Sequence, residues 1–149
     1  MRHLDPRTGD MAAHIAIELM NAWNEHDVDR VMSYYPPDYV GVDVGQATPE
    51  HGLDGKRKAV LGYLRAFPDL RFIPEEPVGM SAVEYDMVAV NWIARGTHLG
   101  PFMNIPPSGR AITVRGVSTL KLRNGKIVQA TYVWDVAGML REIGLLPDL

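Results

Sequence analysis

Ala12, Ile15, Leu19, Ala22 and Trp23 recur every three or four positions, which predicts an amphipathic helix from a cap at Asp10 to about residue 25. Asp27 is placed to cap a second short helix carrying Val28, Val31, Met32 and Tyr35, closed by Pro36-Pro37. The period then changes. Tyr39, Val40, Val42 and Val44 in "DYVGVDVG" favour extended backbone, and "QATPEHGLDG" reads as a loop by its Gly and Pro. A third helix is expected over about 55–67, with Val60, Leu61, Leu64 and Phe67 on one side.

The second half alternates. "LRFIPEEPVGM" predicts a long strand whose Pro74 and Pro77 belong at an edge or a bulge. "SAVEYD" turns the chain into a second strand, "MVAVNWIARGTH". A loop, "LGPFMNIPPSGR", separates these from the strands "AITVRGVSTLKL" and "KIVQATYVW". Asn124-Gly125 between the last two is a strong hairpin signal, because both residues accept positive φ. A final helix, "VAGMLREIG", ends at Gly144. The expectation is therefore one domain, 1–149, of the α+β class. It has a strongly curved antiparallel sheet, a cone-shaped barrel, whose N-terminal helices cover a central hydrophobic pocket.

Composition narrows the chemistry. The chain has no cysteine, which removes disulfides, thiolate nucleophiles and Cys-zinc sites, and a cytoplasmic setting fits. A net charge of −3 with scattered Lys and Arg gives no footprint for nucleic acid. "KRK" at 56–58 reads as the solvated face of a helix. No apolar run approaches the ~20 residues that span a bilayer, so no membrane partner is expected. The five His are dispersed, without a metal-ligand spacing.

Three stretches, "AFPDLRF" (66–72), "RGTHLGPFMNIPPSGR" (95–110) and "NGKIVQATYVWDVAGMLREIG" (124–144), together resemble the SnoaL-like polyketide cyclase family. The likeness runs from the first helix to the last. It implies a cofactor-independent fold of the nuclear-transport-factor-like superfamily acting on a small hydrophobic polycarbonyl substrate by enolisation, ring closure or isomerisation. It leaves open a non-catalytic dimeric binding module or a hydroxylase-like member. The resembling cyclases place an acid/base Asp where this chain has Tyr132, and a His where it has Ser118. The epoxide-hydrolase relatives carry an Asp-Arg-Asp set at positions held here by Asn91, Ile93 and Tyr132, which argues against that activity.

With those positions taken as inward, Asn91, Ile93, Ser118, Tyr132 and Trp134 line the pocket, and Trp23 and Trp134 shape it. The opposite parity gathers Val88, Val90, Trp92, Val117 and Val133 into an apolar outer face, which predicts a homodimer. Tyr132 is a candidate hydrogen-bond donor to a developing enolate oxygen, or simply a packed strand Tyr. His98 is a candidate general base, or a structural His bonded to the Pro-Pro loop. Asp43 lies on the strand where ketosteroid-isomerase relatives carry their base, and a one-residue slip would send it to solvent. Asp135 is a candidate acid or the cap of the final helix.

Overall fold

A computed structural model describes residues 6–80 and 86–148, with the side chains of all of these except 6–10 and 76–80. Helix α1 (Pro6–Asn24) starts ahead of the predicted Asp10 cap, with Pro6 at the first helical position, where its missing N–H is not needed. Helix α2 (Val28–Met32) begins as expected at Asp27, whose side chain accepts from the Arg30 amide at 3.1 Å. It stops at Ser33, short of the two prolines, where the Ser33 hydroxyl donates to the Arg30 carbonyl.

The remaining elements are β1 (Val40–Asp43), β2 (Glu50–His51), α3 (Gly52–Ala66), β3 (Arg71–Met80), β4 (Met87–Thr97), β5 (Ala111–Arg123), β6 (Lys126–Trp134) and α4 (Val136–Glu142). The predicted 46–55 loop thus contains a short strand and the start of α3. Residues 81–85 of the predicted turn "SAVEYD" lie outside the described residues. Strand order across the one sheet is β2-β1-β6-β5-β4-β3. Strands β3 to β6 form the expected antiparallel meander, with the Pro-bearing β3 at an edge and its register shifted between Glu75 and Gly79. Strand β1 lies parallel to β6, with Asp43 opposite Tyr132. The sheet is therefore mixed and open, because the chain reaches β6 from β1 only after α3 and the whole meander.

Asn124 and Gly125, with φ of 53° and 75°, form a two-residue turn joining Arg123 to its partner Lys126. A little further on, Lys121 pairs with Gln129 while Leu122 pairs with Ile127, so Val128 is an extra residue on β6. This bulge changes which parity faces inward: Ile127 is buried before it and Ala130 after it.

The inner face of the sheet packs on the helices. Val88, Val90, Trp92 and Ala94 of β4 are buried, as are Ile112, Val114 and Leu120 of β5, against Ala16, Leu19 and Met20 of α1 and Val60 of α3. This overturns the expected parity of β4. Asn91 is exposed on the outer face, and Ile93 is half-buried there. Val90 is the register partner of Ser118, and Ser118 of Tyr132. Directly opposed residues share a face, so inward Ser118 and Tyr132 require inward Val90 and outward Asn91 and Ile93. Energetics agree with the register: burying a Val contributes ~1.5–3 kcal/mol, whereas a buried amide would need its own partners. Val88, Val90 and Trp92 consequently leave the apolar outer face predicted for a dimer; Val133 stays on it, 45% exposed.

Candidate functional site

Strands β1, β4, β5 and β6 and helices α1, α3 and α4 all send side chains into one cavity of about 100 Å³. Aliphatic side chains and aromatic rings share its wall, the rings including Trp23, Phe67, Phe72, Trp92 and Trp134. Trp92 packs edge-on to Phe72 at 5.1 Å between centroids, and Phe72 edge-on to Trp23 at 5.5 Å. Ser118 also lines the cavity, and its hydroxyl accepts from the Trp92 indole N–H at 2.9 Å. Polar groups enter the apolar wall at two further corners.

The first corner is built on Asp43. Alternation along β1 turns Gly41 and Asp43 inward and Val40 and Val42 outward, leaving the carboxylate 5% exposed. Oδ1 of Asp43 accepts from the Gly45 amide at 2.8 Å and from the Trp134 indole N–H at 2.9 Å. The Tyr63 hydroxyl, reaching from α3, donates to Oδ2. Burial, followed by the nearby Asp43 charge, pushes the Tyr63 phenol well above its ordinary value, so it stays a donor at neutral pH. Phe102, from the connection between β4 and β5, packs on Tyr63 and Trp134 with centroids at 5.3 and 6.2 Å.

The second corner is a buried ring of hydrogen bonds. Lys56 of α3 is 2% exposed and Glu50 of β2 is 7% exposed. The Lys56 ammonium donates to Glu50 Oε1 at 3.2 Å and to the Tyr132 hydroxyl at 3.0 Å. The Tyr39 hydroxyl donates to the same Glu50 oxygen at 2.7 Å and meets the Tyr132 hydroxyl at 3.1 Å. Tyr35 approaches Tyr132 at 3.4 Å. The ammonium lies over three aromatic faces, 4.5 Å from the Tyr132 centroid, 4.8 Å from Tyr35 and 5.6 Å from Tyr39. Burial opposes the Lys56 charge, but Tyr35 and Glu50 more than restore it, and its pKa ends above the ordinary value. Burial first, and the Glu50 charge second, raise the Tyr132 phenol well above its ordinary range. Gly41 makes the corner possible: a Cβ there would stand 2.0 Å from the Tyr39 hydroxyl oxygen.

Among the residues singled out from sequence, Asp43, Tyr132, Ser118, Trp134 and Trp23 meet in this cavity, while Asn91 and Ile93 face away from it. His98 is 1% exposed but does not line the cavity. Its Nδ1 accepts from the Ser108 amide at 3.1 Å and meets the Ser108 hydroxyl at 2.9 Å, and its ring lies 5.6 Å from that of Phe67. That is the structural alternative, a His folding the Pro-Pro loop back onto the core. Asp135 is the N-cap of α4, accepting from the Gly138 amide at 2.8 Å, and is exposed. Among the described residues, no three His, Asp or Glu side chains form a metal-ligand set.

Lys56, Glu50, Tyr35, Tyr39 and Tyr63 were not legible as site residues. Lys56 corrects the reading of "KRK" as wholly solvated, since only Arg57 and Lys58 are exposed. The available signal was helical spacing: Lys56, Val60, Tyr63 and Phe67 fall on one stripe of α3 and its C-cap.

A curved sheet roofed by helices over an aromatic cavity, with a carboxylate and a cation-backed phenol facing into it, defines a small-molecule-binding α+β domain. The model of the SnoaL-like polyketide cyclase family matches residues 14–143, and the chain belongs to that family. Nogalonic acid methyl ester cyclase of Streptomyces nogalater is 28% identical over 131 residues, covering 85% of this chain and 92% of that one. AclR of Streptomyces galilaeus, a candidate hydroxylase, superposes with a TM-score of 0.78 at 29% identity, over 93% of this chain and 83% of its own. A candidate SnoaL-like polyketide cyclase from Jannaschia sp. CCS1 shares the fold with a TM-score of 0.82 at 21% identity, over 99% and 100% of the two chains.

Proposed function

We propose that the chain is an acid/base enzyme of the polyketide cyclase type, acting on a flat hydrophobic substrate that bears more than one carbonyl. The observation that carries this reading is the pairing of Asp43 with Tyr132 across β1 and β6, both turned into one aromatic cavity. Asp43 takes a proton from the carbon beside a substrate carbonyl, and the C–H electron pair becomes the C=C of an enolate. Tyr132 donates a hydrogen bond to the oxygen on which that charge gathers. The enolate carbon then bonds to a second carbonyl carbon, whose oxygen takes the proton back from Asp43. Return of the proton to a different carbon gives isomerisation instead. His98 and Asn91 have no part in this scheme, because neither lines the cavity.

With the true substrate, Asp43→Asn should lower kcat by about 10²–10⁴-fold, and Tyr132→Phe by about 10²–10³-fold. Full turnover in both variants would end this reading. One observation favours a non-catalytic binder: both polar corners are already internally hydrogen-bonded. Thermal stabilisation by a ligand that is never converted would support the binder. The hydroxylase description of AclR supplies a third reading, which oxygen consumption separates from cyclisation.

The homodimer is proposed through the outer face of β1 and β6, where Val40, Val42, Val44 and Val133 are 37%, 44%, 54% and 45% exposed. Sedimentation should give twice the 16.6 kDa chain mass, and Val42→Lys with Val133→Lys should return it to one. A wild-type protein sedimenting at the chain mass would refute the dimer.

A further inference from the structure

The Tyr132 proton lacks a good acceptor. Tyr39 has a single hydroxyl proton and gives it to Glu50 at 2.7 Å. Lys56 has only donors, and directs them at Glu50 and Tyr132. What remains for the Tyr132 proton is the Tyr39 oxygen at 3.1 Å or the Tyr35 oxygen at 3.4 Å. Both are phenols that burial keeps protonated, hence neutral acceptors. Hydrogen bonds to an ionised partner are roughly twice as strong as those between neutral groups. Lys56 is the one buried Lys or Arg among the described residues, and it lines the cavity directly behind Tyr132. Of the two carboxylates in the cavity, Glu50 is paired with Lys56, and Asp43 accepts from three neutral donors.

We propose that Tyr132 and Lys56 form an oxygen-anion subsite, and that the cavity selects flat hydrophobic molecules carrying an acidic enol or phenol hydroxyl, bound as the anion. This rests on the acid/base reading above, since an enol anion is the species Asp43 would generate beside Tyr132. On binding, Tyr132 turns its proton from Tyr39 to the ligand oxygen. Lys56 stays bonded to the Tyr132 oxygen and strengthens it as a donor, so Lys56 is a positioning residue acting through Tyr132. The charged and titratable groups around Tyr132 are Lys56 from α3, Glu50 from β2, Asp43 from β1, and Tyr35 and Tyr39 from the segment between α2 and β1.

The probes 4-nitrophenol and 2-hydroxy-1,4-naphthoquinone absorb differently once ionised, so spectra read the bound state without any turnover. In the intact protein each bound probe should ionise at least about one pH unit below its free value, a tenfold preference for the anion. Tyr132→Phe should abolish that shift. So should Lys56→Met combined with Glu50→Gln, which removes both charges of the pair together. If the double variant does not fold, Tyr132→Phe alone decides. An unshifted or raised probe pKa in the intact protein overturns the proposal. So does failure to bind at about 1 mM probe, or a shift that survives either variant. A shifted probe together with full turnover in Asp43→Asn leaves the subsite standing and removes the acid/base reading; turnover lost in Asp43→Asn with an unshifted probe does the reverse.

Discussion

Asp43 and Glu50 are both buried carboxylates on adjacent, paired strands, and both line one cavity. Their surroundings differ in kind. Three neutral donors surround Asp43: a backbone amide, an indole N–H and a phenol. Glu50 has a full positive charge at 3.2 Å and a phenol at 2.7 Å. Dipoles orient a carboxylate and leave its net charge facing the cavity, whereas an ammonium cancels it. In the proposed scheme the Asp43 corner meets the ligand, while the Glu50 corner holds tyrosines in place.

The sharpest way to break this comparison is to remove one partner from each corner. Lys56→Met leaves Glu50 buried and unpaired and should cost about 3–5 kcal/mol of unfolding free energy. Asp43→Asn keeps an oxygen for Gly45 and Trp134 and should cost only about 1 kcal/mol. Equal losses in urea unfolding would show that the corners are compensated alike. A smaller effect comes from pH. Burial raises the Tyr35, Tyr39, Tyr63 and Tyr132 phenols above their ordinary value, and Lys56 is raised as well. In the unfolded chain these phenols lose their protons near pH 10, while the folded chain holds them longer. Their contribution is complete below that pH and is lost as pH rises above it. The urea midpoint should fall between about pH 9 and 11, and Tyr39→Phe should flatten the fall by up to about 1.4 kcal/mol per pH unit. An unchanged slope would mean that Tyr39 titrates alike in both states. Smallest is the exposed control: Asp135→Ala should cost about 1 kcal/mol as a lost helix cap and leave turnover unchanged. Lost turnover in that variant would return Asp135 to the chemistry.

The fold was largely readable because its signals are local. The Asn124-Gly125 turn, the Asp27 cap and the proline-bearing edge strand each follow from a few adjacent residues. The site was half readable. Asp43 and Tyr132 were found through the resemblance, which carries catalytic groups at or near their positions, and Trp134 follows Tyr132 at the same parity. The direction of Asp43 was left open between cavity and solvent. Asn91 and Ile93 were misplaced on β4 because the resemblance, and not the strand's own alternation, set their direction. Val88, Val90, Trp92 and Ala94 are all apolar, whereas Asn91, Arg95 and Thr97 interrupt the other set. Lys56 was missed because a lysine's cost of burial depends on partners distant in sequence, here Tyr132 from β6. On β1 the usual rule is inverted, with valines outside and Asp43 inside, which only the cavity on one side and the proposed partner on the other make sensible.

The extra residue at Val128 has a genetic corollary. Inward residues have odd numbers before it and even numbers after it, yet each β6 residue is held to its face by its partner on β5. Deleting codon 128 would remove only the unpaired residue and leave Tyr132 opposite Ser118 and Trp134 opposite Gly116, hence on their present faces. Tryptophan emission should keep its wavelength in that variant, and a red shift would show that the strand had slipped instead. The reading frame of the faces in β6 is thus kept by pairing and not by counting, so one codon can be lost there without inverting it.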